Sequence, residues 1–297
     1  MKSDGLVFVD AHVHFWDAAR LPYPWLVEVP AIAGAHTPIE LAAETSEQRP
    51  SEIVFVESDV DPRRALEEVR WVEALAARKP GVAISAVTIG AIVAQVAVDR
   101  GAETEAALAA LGRHARVRGV RHIIEKHPEP DYCVRPAFVA GVQRVGERGW
   151  TFDLCVRPAQ LPPCIALVRA CPGTTFVLDH AGKPDIRRGL FEPWRAQIAE
   201  LARSPNVVCK LSGLVTEADP ATWTTATLRP YFDHLSSCFG PGRLLFGSDW
   251  PVVNLAASYR RWLETALELL ERFSTGERAA VLSDNARRIY RLEMGSS

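Results

Sequence analysis

Eight short apolar, β-branched runs recur along the chain, near residues 6–10, 53–57, 82–89, 117–124, 151–156, 175–179, 206–211 and 244–248. The stretches between them carry apolar residues at helical spacing. No segment repeats in sequence, so what recurs is a pair of elements. Strands alternating with helices select a parallel sheet, because each parallel connection needs a crossover. The mean spacing of roughly 34 residues is that of one strand-helix unit. Eight units predict an α/β fold, a (β/α)8 TIM-type barrel, for which 297 residues is an ordinary length. No Gly/Ser-rich linker divides the chain, so residues 1–297 are expected to form a single domain.

Helix boundaries are written in the turn chemistry. Thr37-Pro38-Ile39-Glu40 is a capping box with proline at the first helical position, and Ser274-Thr275-Gly276-Glu277 is a second box. Asp61-Pro62 opens a helix with Leu66, Val69, Val72 and Leu75 on one face, and Pro136 opens another that Gly149 stops. Leu255, Tyr259, Trp262, Leu263, Leu267 and Leu270 mark a later one, and the last ends near Tyr290. The longest gap follows the first run. Residues 16–36 hold Pro22, Pro24, Pro30, Trp16, Tyr23 and Trp25, and are expected to form a long first βα loop over the barrel mouth.

A net charge of −2 has no basic surplus to favour nucleic acid. No apolar stretch reaches the ~18 residues that span a membrane, and the first apolar run is too short for a signal peptide. Six scattered cysteines without a CxxC pair fit a reducing cytosol, hence a cytoplasmic protein. The expected partner is a small-molecule substrate, with homo-oligomerisation left open.

In a barrel of this kind chemistry sits at the C-terminal strand ends. The first run ends in His12 and His14, which share a side by i, i+2 spacing. Glu57 and Asp59 follow the second, and Arg121, His122 and Glu125 the fourth. Asp153 and Arg157 lie at the fifth, Asp179, His180 and Lys183 at the sixth, and Lys210 and Ser212 at the seventh. The eighth leads into Ser248-Asp249-Trp250-Pro251. Polar groups in such numbers are not core builders, since each buried one must find a partner. Asp249 can take a proton from water, while His12, His14 and His180 hold a metal or donate to a carbonyl oxygen as it becomes an oxyanion. Asp179 is expected to point the other way and to be structural. Arg121, Lys183, Trp25 and Trp250 are expected to hold the substrate, although Arg121 and Lys210 could instead pair with interior carboxylates.

Four segments carry a resemblance: VDAHVHFWD, LDHAGKP, CKLSGLVTEAD and LLFGSDWPV. In this order they resemble the amidohydrolase superfamily, and within it the amidohydrolase-2 branch, which includes sugar-lactone hydrolases and 2-pyrone-4,6-dicarboxylate lactonase. The resemblance implies a distorted (β/α)8 barrel and a hydrolase that opens a lactone, with a sugar-acid lactone the expected substrate. It implies that Asp249 activates water, and that His12, His14 and His180 bind metal or the carbonyl. It also implies an arginine in a Gly-x-Arg context, here Arg121, on polar substrate groups. Binuclear relatives place a histidine on the fifth strand; here that strand reads Phe152-Asp153-Leu154-Cys155. At most one divalent ion is therefore expected, held by His12, His14, His180 and Asp249, with Glu57 as a further candidate. Nitrogen-rich ligands favour zinc, and metal-free catalysis remains open. The alternatives are a metal-dependent non-oxidative decarboxylase of the same superfamily and, from another class, a ligand-binding barrel without catalysis.

Overall fold

The computed structural model describes residues 6–77 and 87–292. Its centre is an eight-stranded all-parallel sheet in sequential order. The strands are β1 (Val9–Val13), β2 (Glu52–Val56), β3 (Thr88–Gln95), β4 (Val117–Arg121), β5 (Thr151–Leu154), β6 (Thr175–Leu178), β7 (Val207–Leu211) and β8 (Leu244–Phe246). A bridge between Val13 and Trp250, with the His14 amide donating to the Trp250 carbonyl at 2.8 Å, joins the two ends into a barrel. This is the (β/α)8 TIM-type architecture expected from the spacing of the apolar runs.

The helices are α1 (Pro38–Glu44), α2 (Ala65–Ala76), α3 (Ala102–Leu111), α4 (Pro136–Glu147), α5 (Leu161–Ala170), α6 (Trp194–Leu201), α7 (Thr225–Phe239), α8 (Tyr259–Leu269), α9 (Thr275–Ala279) and α10 (Asn285–Tyr290). Both expected capping boxes form, at Thr37 and at Ser274. Helices cover the outside of the sheet, so strands bury both faces, and every residue of β1, β2, β7 and β8 is buried. Ile53, Phe55, Phe152, Phe176 and Leu211 pack outward in the main core. Val9, Ala11, Val54, Val93, Val177 and Val208 fill the interior. Helix α10 plugs the floor: Ala286 and Tyr290 join the interior cluster, and Asn285 donates to the Leu244 carbonyl at 2.8 Å. No described helix is long and apolar enough to cross a membrane.

Strands β4, β5 and β8 end two or three residues before the apolar runs do, and two others differ at their starts or lengths. The third run was placed at 82–89, of which 82–86 lie outside the described residues; the strand continues through Gly90 to Gln95. The first run was placed at 6–10, and the strand begins three residues later, at Val9. Pairing with β2 sets that choice, and the register shifts between Asp10 and Val13. Before the shift Val9 and Ala11 face inward; after it Val13 packs outside. This extra residue turns His12 and His14 to the interior. The first βα loop packs Trp16, Leu21, Tyr23, Leu26 and Ile32 into a core of its own with Val60 of the loop after β2. The Trp16 indole N–H pins it by donating to the carbonyls of Ile32 and Gly34.

Candidate active site

Three imidazoles and one carboxylate converge at the C-terminal mouth. Asp249 Oδ1 lies 3.7 Å from His12 Nε2, 3.3 Å from His14 Nε2 and 3.8 Å from His180 Nε2. The Nε2 atoms of His12 and His14 are 3.0 Å apart. Two of the rings have the other nitrogen hydrogen-bonded, and the third faces a carboxylate. His14 Nδ1 meets the Val56 carbonyl at 2.9 Å, His180 Nδ1 meets Ser212 Oγ at 2.9 Å, and His12 Nδ1 lies 3.3 Å from Asp179 Oδ1. The Val56 carbonyl at Nδ1 selects the His14 tautomer with a bare Nε2 lone pair. All three Nε2 atoms face one space.

Local backbone chemistry makes this convergence. His180 and Asp249 both adopt left-handed conformations, with φ of 50° and 63°. Such backbone costs of order 1–3 kcal/mol per residue for a side chain with a Cβ, and it persists because the surroundings over-determine it. Two glycines make room. A Cβ on Gly213, itself at φ 67°, would lie 2.6 Å from the His180 Cβ, and one on Gly247 would lie 2.9 Å from the His12 Cβ. Asp10 ties the first and eighth strand ends together, accepting from the amides of Ser248 at 2.8 Å and His12 at 3.1 Å. Burial pushes the Asp10 carboxyl up to about 6.

Beneath the imidazoles lies a buried charge network. Lys210 Nζ donates to Asp153 at 2.6 Å and to Asp179 at 3.0 Å. Arg121 donates to Glu57 Oε1 at 2.5 Å, to the Glu57 carbonyl at 2.7 Å and to Asp179 Oδ2 at 3.1 Å. Burial would lower the Lys210 ammonium, but Asp153 and Asp179 outweigh it and keep it charged. Burial also sets His180, lowering it to about 4, and holds His12 well below its ordinary value. Both rings are therefore neutral near pH 7. Burial would raise the Asp249 carboxyl, but its imidazole neighbours, His180 foremost, hold it below the usual carboxylate range.

Several expectations change here. Asp179 is not turned away: β6 ends at Leu178, and the turn over Asp179–Gly182 breaks the two-residue alternation, so both Asp179 and His180 face inward. Glu57 is no metal candidate, because one carboxylate oxygen is taken by Arg121 and the other accepts the Asp59 amide at 2.7 Å. Trp250 is not at the mouth. It packs against Phe15 and His36 and donates its indole N–H to Glu44 at 2.6 Å. Arg121 reaches the mouth wall, yet its guanidinium is held by Glu57 and Asp179. Trp25 lines the mouth, fixed by its indole bond to the Ser58 carbonyl, and so does Lys183, paired with Glu125 at 2.6 Å. The mouth cavity is about 180 Å³ and is bordered by His14, Trp25, Arg121, His180, Lys183 and Asp249.

The donor set fits one divalent ion. Tetrahedral zinc with bonds of about 2.0–2.1 Å separates neighbouring ligand atoms by roughly 3.3 Å. The 3.0–3.7 Å separations among His12, His14 and Asp249 bracket that value, with His180 Nε2 3.8 Å from the same Asp249 oxygen. His12, Asp179 and His180 form a second close group. Asp179 already accepts from Lys210 and Arg121, and a cation there would face both. The Asp249 side is the better seat.

A closed (β/α)8 barrel whose strand ends bring three imidazoles to one carboxylate defines the class of metal-dependent hydrolases. Residues 9–292 match the family model described as amidohydrolase, and the chain belongs to that family. L-fucono-1,5-lactonase from Burkholderia ambifaria is 32% identical over 293 residues, 97% of each chain. The crystal structure of an amidohydrolase from Burkholderia multivorans with bound zinc superposes with a TM-score of 0.83 at 32% identity, covering 97% of this chain and 100% of that one. A 2,6-dihydroxybenzoate decarboxylase from Rhizobium, 15% identical, shares the fold with a TM-score of 0.60 over 97% of this chain and 98% of that one.

Proposed function

We propose that this protein is a lactonase that opens a sugar-acid lactone by water attack on the carbonyl, the described barrel acting as one catalytic unit. One observation carries the reading: the Asp249 carboxylate sits among the ring edges of His12, His14 and His180 at the mouth of a cavity of about 180 Å³. The full-length similarity to an L-fucono-1,5-lactonase supports the substrate class.

His12, His14, His180 and Asp249 would hold one zinc ion, which when bound supplies Lewis acidity and lowers the pKa of water. The chain's own residues do the rest. Asp249, held anionic, accepts a proton from the attacking water. The water oxygen bonds to the acyl carbon, the ring C–O bond breaks, and Asp249 returns the proton to the departing ring oxygen. The hydroxy acid formed then ionises. In a metal-free site His12 and His14 would need their Nε2 protons to stabilise the oxyanion. The Val56 carbonyl at His14 Nδ1 opposes that tautomer, which favours the metal-bound reading. Trp25 covers a sugar-ring face and Lys183 meets its oxygens, while Arg121 acts from below through Asp179. Substrate is a small molecule, and six free thiols fit a cytosolic setting.

The test is a panel of aldono-lactones, followed by acid release at constant pH, with elemental analysis of the same protein and CO2 release from carboxylated phenols measured in parallel. Lactone opening with one zinc per chain is expected. CO2 release without lactone opening would replace this reading by the decarboxylase one, and two tight metal equivalents would refute the mononuclear site.

A further inference from the structure

A second, larger cavity of about 660 Å³ opens beside the mouth, between the loops that follow β5, β6, β7 and β8. Lys183 lines both spaces. Its partner Glu125 also lies 3.5 Å from Arg157, which reaches Glu217 at 3.5 Å on the far side. The boundary between the cavities is thus a row of side chains rather than backbone.

The cations on the larger wall are held loosely. Arg157 is shared between two carboxylates at 3.5 Å and is half exposed, and Arg188 lies 3.5 Å from Asp185. Arg187 lines the same cavity and makes no side-chain hydrogen bond or ion pair among the described residues. Its position is nevertheless set, because its amide donates to the Glu217 carbonyl at 2.9 Å. The wall carboxylate Glu192 is already taken by Arg195 at 2.6 Å. Guanidinium groups with spare donors suit a carboxylate, which they can bind in a bidentate fork.

Lactone opening creates such a group. The product carries one more negative charge than the substrate, and it appears next to the anionic Asp249. Like charges in a buried site repel, and Lys183 lines both cavities, with Arg157 and Arg187 on the larger wall beyond it. We infer that the larger cavity is a product subsite: it binds the open-chain hydroxy-carboxylate through Arg157 and Arg187 as it leaves the mouth by way of Lys183. This rests on the lactonase reading.

The experiment compares wild type with Arg157→Gln/Arg187→Gln, neither residue being part of the catalytic set. Product inhibition by the cognate aldonate is measured alongside kcat/KM for the lactone, and gluconate binding is followed by calorimetry in the absence of turnover. The expected result is an inhibition constant raised about tenfold in the double variant, with kcat/KM within twofold of wild type. Product inhibition unchanged by the substitutions would overturn the subsite. A fall in kcat/KM by the same factor would also overturn it, since the cavity would then be binding substrate. If no lactone is hydrolysed, the lactonase reading fails by itself. Calorimetry then decides the anion site separately: gluconate binding that the double variant loses supports it, and no gluconate binding to wild type refutes it.

Discussion

Replacing Arg121 by alanine tests whether this side chain is a strut or a substrate hand. Its guanidinium makes three hydrogen bonds, two to Glu57 and one to Asp179, and both carboxylates are fully buried. In Arg121→Ala, Glu57 keeps the Asp59 amide but loses its charge partner, and Asp179 is left with Lys210 and His12. Removing one member of a buried ion pair typically costs ~3–5 kcal/mol, because the remaining charge stays desolvated. At ~2–4 °C per kcal/mol for a domain approaching this size, Tm should fall by roughly 10 °C. Thermal unfolding followed by circular dichroism measures this directly. Arg121→Ala/Glu57→Gln should recover part of the loss, since it removes the stranded charge. The substitution also loosens Asp179 behind His12, so kcat should drop along with any rise in KM. An unchanged Tm with a rise in KM alone would refute the strut and make Arg121 a substrate ligand.

Asp249→Asn keeps the shape but cannot accept a proton, so kcat on the best lactone should fall ~10²–10⁴-fold; near wild-type kcat would remove Asp249 from the role of base. Gly213→Ala adds a Cβ 2.6 Å from the His180 Cβ at a φ of 67°, and should displace that ring. Zinc affinity, read by chelator competition, should weaken at least ~10-fold, and an unaltered affinity would show that the close approach is not needed. Lys210→Met strands Asp153 and Asp179 in the barrel interior, so the denaturation midpoint should fall by an amount equivalent to ~3–5 kcal/mol, partly restored by Asp153→Asn. The His180 ring, lowered to about 4 by burial, resists a proton that the unfolded chain accepts below about pH 6.5. The His180 share of the stability of metal-stripped protein should therefore be constant above pH 6.5 and fall as pH drops toward 4, by up to ~3 kcal/mol. Urea unfolding at pH 7 and pH 4.5 measures the slope, and His180→Asn should reduce it, leaving the part that buried His12 supplies; an unchanged slope would refute the His180 share.

The barrel and the main actors were legible in the sequence because they rest on short-range rules. Short continuous apolar runs, apolar helical faces and capping boxes at Thr37 and Ser274 are local properties, and eight strand-helix repeats leave little choice of topology. His12, His14, His180 and Asp249 could be read because polar residues at the ends of apolar runs stand out. Their partners could not. His180 joins Asp179 on the inner face only because the turn after β6 leaves the strand's alternation, and His12 faces inward only because the β1–β2 register shifts by a residue. Trp250 looked like a mouth residue from its neighbours in the chain, yet Glu44, 206 positions away, draws its indole into the core. Glu57 looked like a metal ligand until Arg121, 64 positions on, claimed it. Which residues end a strand is a local matter. Which of them meet depends on register, backbone strain and long-range pairing of buried charges, and those exist only once the barrel has closed.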